Sequence, residues 1–440
     1  MTQARNYKSK LVLDFETTFG ANPGSAAGLI MPFNACEILE KQNLIEVGTI
    51  RGNRNPVQPV LGRKSVDGSL TVPMDYNAIG YWLKSLLGDP TTTNLSTAGY
   101  LTGAISVDDT IGTWTAVTDG SFNITINGSA NDITGLNFST DSDMDDVAAR
   151  IQAAIRVVAT GGFTLATVTY TASTKYFKIT SGTLGTASSV ALLTAAASGT
   201  NISGASFMKC AASPAAATAG VTQYQHLFKV GDSQPSLVLS KEFSDISQYF
   251  LYNGCKISTF QHAFGEDKEY VASMEVMGAG RTLSGSAYDG SATEVTLDRI
   301  NGFQASLKEG GSTSAIVTGG DFTINAGLDG NQYVLGSTGK RGDIPEGIMQ
   351  VSGTIAALFT DATLLNKGIN ATESSLEVIY TKDTVTSLSF EFPEIQYEVT
   401  DPVVTGPVGA MVNLAWRGFY TNDADASAVV VTLKNTTIDY

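Results

Sequence analysis

The chain reads as a mainly β protein: a β-sandwich or β-barrel with a short flanking helix, duplicated in tandem and interrupted by a small inserted α+β domain. Three observations lead there. A strand-then-helix cassette at 62–88 returns at 351–370, a rhythm of alternating strand-like runs follows residue 224, and composition shifts at both ends of 96–222.

The cassette GRKSVDGSLTVPMDYNAIGYWLKSLLG places Val66, Gly68, Leu70 and Val72 on one side of an extended chain and Asp67, Ser69 and Thr71 on the other, the period of a half-buried strand. Pro73 has no N–H for a ladder and ends it. Asp75 is placed to cap a helix that Gly88 and Pro90 close. Tyr76, Ile79, Leu83, Leu86 and Leu87 share one face of that helix, with Trp82 beside them. In the second copy, VSGTIAALFTDATLLNKGIN, Val351 and Gly353 stand for Val66 and Gly68, Thr354 and Ile355 for Ser69 and Leu70, and Asp361 for the cap. Upstream, NRNPVQPVLGRK is echoed by GSTGKRGDIPEG; downstream, VASMEVMG at 271–278 is echoed by MVNLAWRG at 411–418. Matching pairs in matching order point to a duplication.

The remaining elements follow in order. Residues 6–16 read as a first strand, 17–34 as a Gly/Ala/Pro-rich loop too long for a plain connection, and 37–51 as strand material before a Pro-broken basic loop at 53–63. The stretches 91–99 and 204–222 look like linkers around a ββαββ insert. In it SFNITING ends in a hairpin-forming Asn-Gly, a helix spans about 144–159, and strands follow at 166–171 and 176–180. HLFKV, SLVLSKEF, QYFLYNGCKISTFQHAF and EYVASMEVMG then give an antiparallel rhythm. The second copy carries strands near 302–307, 322–326, 348–356, 376–380, 385–391, 395–399, 411–416 and 429–433. The expected domains are 1–95 with 223–285, the insert 96–222, and 286–440.

Composition excludes several functions. A chain of 440 residues has room for about three domains, and a net charge of −15 argues against a nucleic-acid-gripping surface. Cys36, Cys210 and Cys255 lie far apart without metal-ligand spacing, so free thiols are expected. The basic N-terminal stretch lacks an apolar core, so no signal peptide is expected, and no run is long and apolar enough to span a membrane. His226 and His262 fall within strands without partners at catalytic spacing, and no nucleophile elbow, phosphate loop or zinc motif occurs. Asp141, Asp143, Asp145 and Asp146 crowd a helix start, as the macrodipole favours, without the rest of a calcium loop. Arg341-Gly342-Asp343 sits in the loop echoing Gly62-Arg63, which favours a structural reading over adhesion. No enzyme and no cofactor is expected.

The runs FETTFGANP, MPFNACEILEKQNLIEVGTIRGNRNPVQPVLGRKSVDGSLTVPMDYNAIGYWLKSLLGDP, HLFKVGDSQPSLVLSKEFSDISQYFLYNGCKISTF and ASMEVMGAG closely resemble the tail tube proteins of long-tailed bacteriophages. The insert more weakly resembles small domains appended to other phage tail and sheath-like proteins. The resemblance implies packed β-sheets with a flanking helix, and rings stacked into a hollow tube in which neighbouring subunits' sheets join around the lumen. It implies a virion protein, assembled in the host cytoplasm into rings of six tube domains, which with the two copies per chain makes the rings trimeric and pseudo-hexameric. Its partners would be copies of itself, a tape measure protein and terminator or tip proteins, with DNA passing through a net negative lumen without specific binding. Asn53, Arg54, Pro56, Arg63, Leu70, Val72, Tyr76, Trp82, Ile355 and Phe359 are the expected assembly contacts. The insert would point outward, and the loops 17–34 and 43–63 would order on assembly. The alternative is a host-surface or carbohydrate-binding adhesin with the insert as its binder.

Overall fold

In the computed structural model, which describes residues 3–265, 267–404, 409–421 and 424–440, the strand Gln248–Phe264 belongs to two sheets. Its first half pairs with Leu237–Phe243 and Gly280–Ser284, and its second half with Val271–Gly278 and Val317–Asn325. From there an antiparallel sheet extends both ways. One direction runs through Val271–Gly278 and Val60–Pro73 to Leu39–Ile45. The other runs through Val317–Asn325, Gln350–Leu358 and Met411–Gly418 to the end of Ser387–Tyr397. The second strand set holds Leu29–Met31 and Ser9–Phe15 beside Leu237–Phe243 in the first half. In the second half it holds Ala305–Glu309, Ser374–Thr381 and Val430–Asn435. The structure is therefore mainly β.

The duplication is written in the pairing register. Val66 faces Gly278 and Leu70 faces Met274, as Val351 faces Gly418 and Ile355 faces Leu414. Leu11 faces Lys241 as Leu307 faces Val378. Leu239 faces Tyr252 as Leu376 faces Phe392, each pair just beyond a register shift at the same place. Glu40 faces Val66 as Ile324 faces Val351. A one-residue slip would turn every side chain to the wrong face, so shared register is a stronger mark of common origin than the sparse shared letters. The repeated glycine has one cause in both copies. A Cβ on Gly68 would lie 2.4 Å from the Glu37 carbonyl oxygen, and one on Gly353 would lie 2.2 Å from that of Asp321, so the neighbouring strand can approach only a bare backbone.

One hydrophobic cluster runs through both copies, from Leu11, Leu70 and Ile257 to Ile355, Tyr397 and Trp416. Helix Ile79–Leu87 lays Ile79, Trp82, Leu83, Leu86 and Leu87 into it. The ends of the two copies meet at this helix: Asn435 donates to the Tyr76 carbonyl at 2.6 Å, and Lys84 Nζ to the Tyr440 main-chain oxygen at 2.6 Å.

Several expectations shift. The strand expected at 66–72 runs Val60–Pro73, because the Pro-broken loop is shorter than the sequence suggested and its end joins the ladder with Leu39–Ile45. The helix starts at Ile79 rather than near Tyr76, while Asp75 holds the N–H groups of Asn77 and Ala78 in the turn before it. The strands expected at 385–391 and 395–399 are one strand, Ser387–Tyr397, carried through Pro393.

The chain divides into two compact units, Thr93–Tyr224 and the remainder. Within Thr93–Tyr224, one sheet orders Thr167–Thr171, Tyr176–Thr180, Tyr100–Thr102 and Ala216–Thr218, and another orders Thr200–Asn201, Gly120–Ile126 and Ser129–Leu136. Helix Met144–Arg156 buries Val147, Ala148, Ile151 and Ile155 against them. The stretch 204–222 is not a linker. Met208 and Cys210 are fully buried and Ala216–Thr218 completes a sheet; its small residues suit close backbone packing, which composition alone cannot separate from disorder. The ends of the unit are pinned together, Thr97 bridging Val221 and Leu95 donating to Gln223.

Asp75 yields a test. It is completely buried, and burial raises its carboxyl from 3.8 to about 6, against the hydrogen bonds from Ala78 and Asn77. The native state therefore keeps a proton that the unfolded chain releases between those values. Stability from this group is full below the unfolded pKa and is lost as pH rises through about 6. Wild type should lose on the order of 2–3 kcal/mol relative to Asp75→Asn between pH 4 and 7, measured by denaturant unfolding. Parallel profiles would refute it.

Candidate assembly surfaces

The long antiparallel sheet buries one face in the shared core and leaves the other polar. Ser69, Thr71, Ser273, Glu275, Gln261, Thr323, Ser352 and Asn413 alternate with buried neighbours along their strands and stay half or fully exposed. Glu37, Glu275, Asp321 and Glu398 lie on this face against the cations Lys41 and Arg417. Glu37 accepts from Ser69 Oγ at 3.1 Å, and Glu398 pairs with Arg417 at 3.0 Å. The acidic excess is a property of the face, since alternation sends apolar residues to the core and leaves the carboxylates together.

The ribbon formed by Leu39–Ile45 and Val60–Pro73 projects apolar side chains without covering them. Leu44, Ile45, Ile50, Val60 and Leu61 are all at least half exposed, Ile50 at 94%. Leu44 lies opposite Leu61 and Ile45 opposite Val60, so these exposed apolar residues form cross-strand pairs at the outer end of the ribbon. Asn53, Arg54 and Pro56 are exposed in the connection between the two strands, and exposed Arg63 lies with its guanidinium 4.7 Å from the Tyr333 ring centre. Three of those four lie in the connection and Arg63 on the second strand of the ribbon. Phe359 is half-buried at the edge of the core. Leu70, Val72, Tyr76, Trp82 and Ile355 are placed elsewhere. All are buried to 1% exposure or less within their own chain, so they shape the subunit and have no surface to offer a neighbour. The alternation that singled them out marks a core-facing strand or helix face before it marks an interface. Leu44, Ile45, Ile50, Val60 and Leu61, absent from that set, carry a different signal: apolar residues in a stretch otherwise rich in Pro, Gly and Asn.

Several of the other polar groups serve the fold. Arg341 is nearly buried and donates to the carbonyls of Gly330, Val66 and Gly278 at 2.6, 2.9 and 3.0 Å, with Asp67 at 2.9 Å. It clamps the 327–347 loop onto the first copy's strands. His262 donates from Nδ1 to the Val271 carbonyl at 2.8 Å and accepts from Tyr380 at 2.7 Å; burial pushes it down to about 4, so it is neutral. His226 is likewise buried, between Thr92 and the Thr437 carbonyl. In the insert, Asp143 caps its helix by accepting from Asp145 and Asp146, Asp146 holds Ser142, and Asp141 grips Arg150. No described helix is long and apolar enough to cross a membrane.

A family model for the phage tail tube protein matches residues 191–418. A second, described as the insert domain of the E217 tail sheath protein gp31, matches residues 96–221. No curated protein matches the chain.

The clamp reading of Arg341 predicts a cost that a surface tripeptide would not have. Arg341→Ala strands three buried carbonyls and a carboxylate, and should destabilise the chain by about 3 kcal/mol in denaturant unfolding. A change within about 0.5 kcal/mol, usual for a free surface residue, would refute the clamp.

Proposed function

Because the chain belongs to the phage tail tube protein family, we propose that it polymerises with itself into stacked rings that form the hollow tube through which phage DNA leaves the virion. The observation carrying this is the repeated register: two equivalent strand sets lie edge to edge in one chain, joined by the ladder from 259–264 to 320–325. A head-to-tail contact of this type closes into a ring when the rotation per domain is right. Three chains with two tube domains each supply the six domains that tubes of this type imply, so the ring is a trimer with apparent sixfold symmetry. The acidic, polar sheet face suits the lumen, since a basic wall would bind DNA phosphates by counterion release and hold them in place. The exposed apolar ribbon at 39–73 suits contacts between rings, and the same tube ends would meet the tape measure, terminator and tip proteins. The insert, its ends pinned side by side at Thr97 and Val221, is a compact unit that the tube wall does not need.

Two measurements test this. Cross-sections of tubes from purified protein should show a sixfold inner wall with three outer protrusions; six protrusions, or six chains per ring, would overturn the trimer, and discrete spikes would favour the adhesin. Replacing 97–221 by a short Gly/Ser linker should leave tubes of unchanged bore, and loss of assembly by a folded chain would place the insert in the wall.

A further inference from the structure

The duplication turns the junction inside the chain into a template for the junction between chains. Within the chain, 259–264 pairs antiparallel with 320–325, Thr259 opposite Asn325 and Phe264 opposite Gly320. The register equivalences carry each partner to its counterpart in the other copy. Lys256 faces Met277 as Gln396 faces Arg417, which makes Val399 the counterpart of Thr259 and Val404 that of Phe264. Cys36 faces Leu70 as Gly320 faces Ile355, which makes Cys36 the counterpart of Gly320 and Lys41 that of Asn325. Both counterparts lie on sheet edges that no described strand covers.

Resting on the reading that the chain polymerises, we propose that 36–41 of one chain forms an antiparallel ladder with 399–404 of the next, Lys41 opposite Val399, Leu39 opposite Asp401 and Cys36 opposite Val404.

Four observations support this register. First, although the strand ends at Tyr397, 399–404 runs on beside the same neighbour: the isolated bridge of Val403 to Met411 has the register that Thr259–Glu275 and His262–Ala272 set in the first copy. Second, the edges are apolar and bare, with Val399, Val403 and Val404 exposed by 61, 69 and 90% and Leu39 by 41%. Unpaired edges of this kind are a liability unless a strand covers them. Third, hydrogen-bonding parity agrees. Glu37 donates inward to Ser69 at 2.8 Å, so Cys36, Ile38 and Glu40 are the outward positions. Ala326 donates to Ser258 at 2.9 Å, so 260, 262 and 264, and hence 400, 402 and 404, face the partner. Pro402, which has no N–H, then falls opposite Ile38, whose carbonyl is already taken by Tyr252 at 3.0 Å and Lys241 at 2.9 Å. The missing donor meets the acceptor that does not need one. Fourth, Lys41 comes diagonal to Asp401 on the polar face, a favourable cross-strand charge pair.

The test is a disulfide. Leu39 and Asp401 form a non-hydrogen-bonded pair, whose close Cα spacing suits a bridge. In tubes of the Cys36→Ser protein, Leu39→Cys with Asp401→Cys should cross-link chains covalently up to closed trimers. The yield should exceed the slipped pair Leu39→Cys with Val403→Cys by roughly tenfold. Thr400→Pro, which removes an N–H aimed at Glu40 of the neighbour, should leave the thermal midpoint unchanged and raise the concentration needed for assembly about tenfold. Tubes that form but cross-link only through the slipped pair, or not at all, overturn this register while leaving the tube intact, as does normal assembly of Thr400→Pro. A wild-type protein that stays monomeric at all concentrations removes the tube reading and the junction with it.

Discussion

A β-strand edge carries a row of N–H and C=O groups that must find partners, and the molecule is arranged around where those partners are. The ladder between 259–264 and 320–325 supplies six opposed pairs and joins the two copies into one sheet. Everything on either side inherits its position from this ladder: Val60–Pro73 is placed through Val271–Gly278, and Gln350–Leu358 through Val317–Asn325. Because each copy must offer one edge forward and one backward, a two-copy chain always ends with one of each uncovered. Open edges of this kind favour pairing with another chain.

Polar groups caught beneath the ladder are matched rather than merely tolerated. His262 reaches from the first copy to Tyr380 of the second, and its neutrality follows from burial, since a charged imidazole there would have to be desolvated. Arg341 crosses in the opposite direction to carbonyls of Val66 and Gly278. Each contact costs little while satisfied and much when broken. They therefore hold the copies in one relative register, where apolar packing alone would allow sliding.

How much was legible can be read from particular residues. Alternation at Val66–Val72, the helix face of Ile79, Leu83 and Leu86, and the Asn-Gly hairpin of the insert are local signals, and each element formed where its period placed it. Local signals failed where composition was ambiguous. The Ala/Ser/Gly-rich 204–222 folds into a sheet, and Tyr76, Trp82 and Ile355 are apolar residues that serve their own core. A periodic pattern says that one face is buried; it does not say whether the burying surface belongs to the same chain or to a neighbour.

By itself, then, the sequence determined the mainly β class, the tandem copies, the position of the insert and the family, because periodicity, glycine placement and repeated order are properties of neighbouring residues. Tertiary structure alone decided which strands pair, in what register, and which edges stay open. Those choices depend on residues hundreds of positions apart, such as Glu40 with Arg281 or Arg341 with Asp67. No local pattern encodes them, since a strand's hydrogen-bonding groups are the same whichever partner they meet.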